Sequence, residues 1–384
     1  MNIYDKLSLI QIKNDCKFIK DLLCFINDKN YSSILLLDIL PFISLMLYES
    51  SNFINSNIIN IEDIIPKSKS NSYSIKDVRL KLKLFENKID DNIKVIKNVE
   101  YIQDRYFKEL DGDLFYHNLG IYTDINKNVI GNTHLAYFFC QSEELKKLQL
   151  NEIEKLYDNN KILKYEEMQI YSFNYGVYLG QLASFFNNLL QKLSSVKVTY
   201  KDINYNILYQ DFNTFKDTQI FPIDENKRIT KLYILYLLSI VNCILYFLKP
   251  IISENLSVLL RIEYIIYYYV IRSLKALYKY LEKNKLLDTK TLQYFENLNI
   301  NDDFLLNSDF RSCMMHYSFK NPKNNKILLN EDDIDLKKPF FGLIESCLNM
   351  DSYALENKLY NKLLHISNIL NNWLDLNLNN TQIL

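Results

Sequence analysis

The chain has 384 residues, of which 48% are hydrophobic and 24% are charged, and its formal net charge is −1. This composition is typical of a folded globular protein, and the length exceeds one ordinary core, so we expect two lobes. The near-neutral charge excludes a global positive field that attracts nucleic acid or membrane, so any such binding needs a local patch.

Turn-forming residues are scarce, since the chain contains only six glycines and six prolines. A GxxxxGK[S/T] phosphate-binding loop, a GxGxxG dinucleotide turn and a GxSxG nucleophile elbow cannot be built from them. The sequence therefore argues against P-loop motors, Rossmann dehydrogenases and α/β-hydrolases. So few turns also favour long elements, and we predict a mainly α fold.

The first half of the chain shows mostly helical patterns. A turn-rich segment at 111–134 is interpreted as including a short hairpin. We assign 1–200 to an N-terminal helical lobe with a sensor, regulatory or substrate-selecting role, and 201–223 to a linker or short strands. Apolar residues at helical spacing predict helices over 4–28, 31–50, 75–110, 143–158 and 165–195.

From residue 224 the chain changes character, with an acidic start suited to a helix N-terminus. Pro250 suits the first turn of a new helix. We predict a self-contained helical bundle over 224–384. Its expected helices run from 224 to 249, from 250 to 284, and over 289–298, 303–319, 340–349 and 352–376.

The strongest membrane candidate is the apolar segment 232–248, which is at the short edge of a transmembrane span and contains Ser239 and Asn242. A core helix surrounded by other helices gives the same pattern, and we favour that interpretation. The N-terminus meets charged residues before any signal-peptide core can form. We therefore expect a cytoplasmic protein without stable membrane insertion.

The six cysteines show no C-x-x-C spacing, and several lie in apolar surroundings. Buried free thiols in a reducing compartment explain them better than a disulfide framework in so long a chain.

Candidate chemistry is concentrated in DFRSCMMHYSF, residues 309–319. Phe310, Met314 and Tyr317 have the spacing of a buried helical stripe. Arg311 and His316 are five positions apart, about 140° around a helix of ~3.6 residues per turn. They converge only if the helix is irregular or if a second copy of the chain pairs with it about a two-fold axis.

Arg311-x-x-x-x-His316, late in a helical bundle and followed by the aromatic Tyr317, resembles the motif of the HEPN superfamily. The resemblance covers roughly 224–384, and Ser312 stands where that family commonly has Asn. It implies a metal-independent endoribonuclease without a cofactor, acting as a homodimer whose two motifs build one cleft. It also implies an RNA substrate, a toxin-like or antiphage role, and a neutralising or activating partner.

In such a site His316 acts as general base or acid, because histidine exchanges protons near neutral pH. Arg311 holds the scissile phosphate and Ser312 orients either residue by hydrogen bonding. Cleavage leaves a 2′,3′-cyclic phosphate and spares DNA, which lacks the 2′-hydroxyl. The lysines after the motif are candidate contacts for flanking phosphates or simply a solvated loop: Lys320, Lys323 and Lys326.

The alternative is structural. His316 can be a satisfied histidine of the bundle, with Arg311 paired to Asp309 or Glu263, and the protein is then a non-catalytic helical interaction or assembly protein. Ser312 in place of Asn and the near-neutral charge favour this alternative. The retained Arg and His favour the enzyme.

A second group of polar residues is a candidate divalent metal site. Its members are Glu109, Asp111, Asp113, His117 and His134. Mixed carboxylates and imidazoles can bind a metal, but Asp-Gly-Asp more often forms a turn, and the spacing matches no known ligand pattern. We predict no metal and no cofactor.

Overall fold

Helices make up most of the protein, as the sequence predicts. The computed structural model describes residues 2–62, 64–67, 89–111, 117–135, 165–254, 256–300, 304–320, 326–380 and 382–383. The longer helices are α1 (Ile3–Ile26), α2 (Ser32–Asn57), α3 (Ile89–Asp111), α4 (Tyr165–Leu189), α5 (Glu225–Asn242), α6 (Leu256–Lys283), α7 (Thr289–Leu298), α8 (Ser308–His316), α9 (Leu343–Leu348) and α10 (Ser352–Leu374). Helix α5 continues through a π-helical stretch, Cys243–Leu248, and a short turn, Lys249–Ile251.

Short strands form two antiparallel sheets. The strands are β1 (Leu119–Thr123), β2 (Val129–Asn132), β3 (Thr199–Tyr200), β4 (Leu208–Phe212), β5 (Ile252–Glu254) and β6 (Gln382–Ile383). The larger sheet has the order β2-β1-β4-β6, and the smaller one pairs β3 with β5. The predicted hairpin at 111–134 is present as β1 and β2, and β4 lies within the segment predicted as linker or strands.

Side-chain caps explain where several helices begin. Asn2 and Asp5 form a reciprocal capping box at α1. The Asp224 carboxylate accepts hydrogen bonds from two backbone N–H groups of α5, and Asp351 caps α10 by accepting from the Ala354 N–H. Each cap satisfies backbone donors that have no partner within the helix.

Some predicted bounds are wrong. Pro250 does not open α6 but lies in the turn that continues α5, and β5 intervenes because its backbone pairs with β3. The helix expected over 303–319 is shorter, since a 3₁₀ turn at Phe304–Leu306 precedes α8. The predicted helix over 143–158 and the part of 75–110 before residue 89 lie outside the described residues.

The apolar segment 232–248 packs in the protein core, where almost every side chain is buried. In the described part of the chain, two helical stretches are long and apolar enough to cross a membrane, Ser32–Asn57 and Glu225–Ile251. Most residues of both stretches are buried inside the protein.

Contacts cross the predicted boundary at residue 224. Helix α2 packs on α8, α1 packs on α6, and α3 packs on α5. The buried apolar residues of both parts form one continuous core. The elements that surround α8 therefore come from both parts of the chain.

A buried ion pair joins the two parts. An Arg261 guanidinium nitrogen on α6 lies 3.2 Å from an Asp15 carboxylate oxygen on α1, and both side chains are almost fully buried. Gln11 Nε2 donates a hydrogen bond to the other carboxylate oxygen of Asp15 at 2.9 Å. The guanidinium also lies over the Tyr317 ring, 3.9 Å from its centroid.

A second buried carboxylate lies further along α6. Lys249 Nζ contacts Glu263 at 2.9 Å and Glu356 at 2.8 Å. Burial raises the pKa of Glu263 to about 7, although the Lys249 charge opposes this shift. The folded protein therefore holds a proton on Glu263 that the unfolded chain releases near pH 4.5.

We expect Asp15→Ala to lower the free energy of unfolding by about 3–5 kcal/mol, because it leaves the Arg261 charge buried without its partner. The double variant Asp15→Ala/Arg261→Met should lose less free energy of unfolding than the sum of the losses in the two single variants. Chemical denaturation measures both values. Asp202→Ala, which removes the exposed partner of Lys29, is the matched control and should cost at most about 1 kcal/mol. Equal losses of free energy of unfolding in Asp15→Ala and Asp202→Ala would contradict a stabilising role of the buried pair.

The raised pKa of Glu263 predicts a pH dependence of stability. Its contribution is fully present below about pH 4.5 and is lost as the pH rises through about 7. The free energy of unfolding of the wild type, relative to Glu263→Gln, should therefore fall over this interval by up to about 3 kcal/mol. Denaturation across the pH range measures the difference. Glu356→Gln should retain most of this decrease, and a constant difference between wild type and Glu263→Gln would refute the prediction.

Candidate functional site

Helix α8 carries the Arg/His motif and is fixed at both ends. Asn307 caps its start by accepting hydrogen bonds from the backbone N–H groups of Asp309 and Phe310. Tyr317 ends it in a left-handed conformation with φ 56°, and its N–H bonds to the Cys313 carbonyl. The side chains of Phe310, Met314 and Tyr317 are buried, which confirms the predicted stripe.

His316 pairs with a carboxylate that the sequence pattern did not reveal. Its Nδ1 lies 3.0 Å from Glu49 Oε2 on α2, and the two side chains are 32% and 8% exposed. A carboxylate only accepts, so this contact favours the tautomer of the neutral ring that has its hydrogen on Nδ1. Within the described residues Nε2 has no hydrogen-bond partner. The contact with Glu49 thus leaves Nε2 available on the other side of the ring.

A sequence signal for Glu49 exists in retrospect. Asp38 and Glu49 are the only acidic residues of α2, and both are buried in an otherwise apolar helix. A buried carboxylate needs a hydrogen-bonding or charged partner, so a buried Glu in such a helix indicates a partner residue on another element of the fold. Which residue supplies that partner depends on how the helices dock.

Arg311 has neither of the partners considered in the structural alternative. Asp309 pairs with Lys326 at 3.6 Å, and Glu263 pairs with Lys249. The Arg311 guanidinium lies over the Tyr268 ring of α6, 5.3 Å from its centroid, and its buried Nε has no hydrogen-bond partner. Among the described residues, no carboxylate pairs with Arg311. That part of the structural alternative is therefore wrong.

The two motif residues contact different helices. His316 meets Glu49 on α2, whereas Arg311 lies on Tyr268 of α6. Helix α8 is a regular α-helix through Ser308–His316, so the irregular helix that would bring the two side chains together is not present. One chain therefore does not join Arg311 and His316 in one contact, and only pairing with a second copy would unite them.

The remaining predicted site residues are spread around α8. Ser312 is buried, and in the described part of the chain its hydroxyl makes no hydrogen bond to Arg311 or His316. Lys320 Nζ lies 5.2 Å from the Tyr4 ring centroid, and the exposed Lys326 pairs with Asp309. Lys323 lies outside the described residues. The two described lysines flank the loop after the motif.

Of the candidate metal site only His117 and His134 are described with their side chains, since those of Glu109, Asp111 and Asp113 lie outside the described part of the chain. Within the described ranges, no three or more His, Cys, Asp or Glu side chains form a group that could hold a metal ion. His117 is exposed, while His134 is buried with Nε2 2.7 Å from the Asn118 carbonyl. Burial lowers the pKa of His134 to about 4, so it stays neutral as part of the core.

No protein-family model, no curated protein and no solved structure matches this chain. The resemblance to the HEPN superfamily therefore rests on the Arg311/His316 motif and on helix order. The chemistry of the site has to be argued from its geometry.

The contact between Glu49 and His316 predicts the tautomer of the neutral ring. We expect ¹⁵N NMR at a pH where histidine is neutral to show the hydrogen of His316 on Nδ1, and Glu49→Ala to remove this preference. His365 is an internal control, because its Nε2 lies 2.9 Å from the Asn297 carbonyl and must donate the hydrogen. A His316 tautomer that does not change in Glu49→Ala would contradict the proposed orientation.

Proposed function

We propose that the protein is a metal-independent endoribonuclease of HEPN type, acting as a dimer in a toxin-like or antiphage role in the cytoplasm. This proposal rests on the contact between His316 Nδ1 and a carboxylate oxygen of Glu49 at 3.0 Å, together with the partial exposure of the His316 side chain. A carboxylate that fixes the ring and leaves the other nitrogen basic is the arrangement that general-base catalysis requires.

The reaction needs no redox partner. His316 Nε2 takes the proton of an RNA 2′-hydroxyl, O2′ forms a bond to phosphorus, and the bond from phosphorus to O5′ breaks. The proton held by the ring is then available to the leaving O5′. The products are a 2′,3′-cyclic phosphate and a 5′-hydroxyl. Glu49 keeps the ring in position and stabilises the imidazolium that forms.

Arg311 supports the proposal because it is a cation without a carboxylate partner among the described residues. A guanidinium held on an aromatic face presents its donors in a fixed fork that matches a phosphate. In the proposed symmetric dimer Arg311 serves the neighbouring subunit's His316, since the two side chains do not meet within one chain. Lys320 and Lys326 would contact flanking phosphates of the same strand.

The direct test is incubation with mixed RNAs in EDTA, followed by analysis of the product ends. We expect the wild type to yield 2′,3′-cyclic phosphate ends, and His316→Ala to cleave at least about 100-fold more slowly because the general base is lost. Arg311→Ala and Glu49→Gln should also be slower. The matched control is His365→Ala, which removes an exposed histidine on α10 and should retain full activity. Full activity of folded His316→Ala would refute the assignment.

A mixing experiment tests whether the site is shared. If Arg311 of one subunit serves His316 of the other, heterodimers of Arg311→Ala with His316→Ala contain one intact site and one dead site. We expect the mixture of the two inactive variants to regain activity, approaching half that of the wild type in pure heterodimer. A mixture that forms heterodimers and stays inactive would contradict a site shared between subunits.

The second candidate function is a non-catalytic helical interaction or assembly protein. It is favoured by the observation that Arg311 and His316 contact different helices, α6 and α2, within one chain. Under this alternative the Glu49–His316 pair stabilises the docking of α8 on α2. Glu49→Ala and His316→Ala then lower the free energy of unfolding by similar amounts. Neither the wild type nor these variants cleave RNA under this alternative.

A further inference from the structure

A cavity of about 160 Å³ lies between α5, the start of α7 and the end of α10. Its walls include Lys227 and Lys231 of α5, Asp288 and Lys290 at the start of α7, and the aromatic rings of Tyr294 and Trp373. No residue of α8 contributes to it. This cavity is therefore separate from the Arg/His motif, and a ligand bound there would not contact Arg311 or His316.

The charged residues that line this cavity are three lysines and one aspartate. Lys227 Nζ lies 3.9 Å from Asp288, which is a loose pair. Lys231 donates to the Leu374 carbonyl at 3.3 Å, and neither Lys231 nor Lys290 pairs with a carboxylate of the described chain. Burial lowers the pKa of Lys231, the nearby Lys290 lowers it further, and Asp375 and Asp217 act in the opposite direction.

The positions of two of these lysines are unfavourable for the helices that carry them. Lys227 and Lys290 lie in the first turns of α5 and α7, where the helix dipole favours negative charge. Asp288 already caps α7 by accepting from the Thr291 N–H at 2.7 Å. The lysine side chains are thus not needed to cap these helices. Residues whose charge opposes the helix dipole in this way are typical of binding sites.

Besides the charged residues, the wall holds two aromatic rings, apolar side chains and three polar residues, Asn226, Thr230 and Thr291. Tyr294 and Trp373 stack with ring centroids 5.1 Å apart, and Tyr294 is half-buried, so part of its side chain remains accessible. The cavity is smaller than the ~300–1,000 Å³ pockets that enclose drug-sized ligands, so it admits one compact group. Lysines beside an accessible aromatic surface suit a ligand that combines a phosphate with a flat ring.

We propose that this cavity binds the phosphate of a nucleotide among Lys227, Lys231 and Lys290, with the base of that nucleotide against Tyr294. The ligand is either a free nucleoside monophosphate or the 5′-phosphorylated end of an RNA strand, since both present the same chemistry. A bound phosphate would be the anionic partner that Lys231 and Lys290 do not have among the described residues.

The single tryptophan of the chain is Trp373, so intrinsic tryptophan fluorescence reports on this cavity. At low ionic strength, AMP should change the fluorescence in a saturable way, and adenosine should not. Lys290→Ala removes an exposed side chain and should weaken AMP binding about tenfold, because a charge-assisted hydrogen bond is lost. Lys231→Met should weaken binding by a similar factor. Added salt should weaken binding in the wild type.

The matched control is Lys192→Ala, an exposed lysine outside the cavity, which should bind AMP like the wild type. His316→Ala should also bind normally, which separates this test from the ribonuclease assay. Short RNAs with a 5′-phosphate or a 5′-hydroxyl distinguish the sources: tighter binding of the phosphorylated strand than of AMP assigns the strand end, and the reverse order assigns the free nucleotide. No saturable change with AMP or phosphorylated RNA, or equal affinity of Lys290→Ala and wild type, overturns the proposal.

Discussion

The buried pair of Asp15 and Arg261 is the constraint on which the geometry of the candidate site depends. A buried charge that loses its partner is strongly unfavourable. The 3.2 Å contact between Arg261 and Asp15 therefore favours the docking of α1 and α6 in which the two charges meet. The same guanidinium covers the ring of Tyr317, the residue that ends α8. Because His316 immediately precedes Tyr317, the ion pair lies directly beside the end of the motif helix.

From this end point the two sides of α8 face different environments. On one side, α2 brings Glu49 to the histidine, and the Met46 carbonyl lies 3.5 Å from the Tyr317 hydroxyl. On the other side, the Tyr268 ring of α6 lies under the Arg311 guanidinium. One helix thus presents, in different directions, an imidazole beside Glu49 and a guanidinium that pairs with no carboxylate of the described residues. This arrangement suits a site shared between two subunits better than a site within one.

The sequence predicted much of the secondary structure for identifiable reasons. Helix α10 follows from its apolar spacing, and the buried stripe of α8 follows from the spacing of Phe310, Met314 and Tyr317. The partners of the motif residues were not predictable in this way. Glu49 and Tyr268 lie far from α8 in the sequence, and periodicity within one helix carries no information on which other helix it meets.

The sequence by itself determined the mainly α class, the caps, the buried faces and the candidate pair Arg311 and His316, because these depend on residue type and local spacing. Only the tertiary structure decided that Glu49 orients His316, that Arg311 lacks a carboxylate partner within the described chain, and that three lysines meet beside Tyr294 and Trp373. Those relations join residues from separate helices. They exist only after docking has selected one register, and the buried Asp15–Arg261 pair is what makes other registers unfavourable.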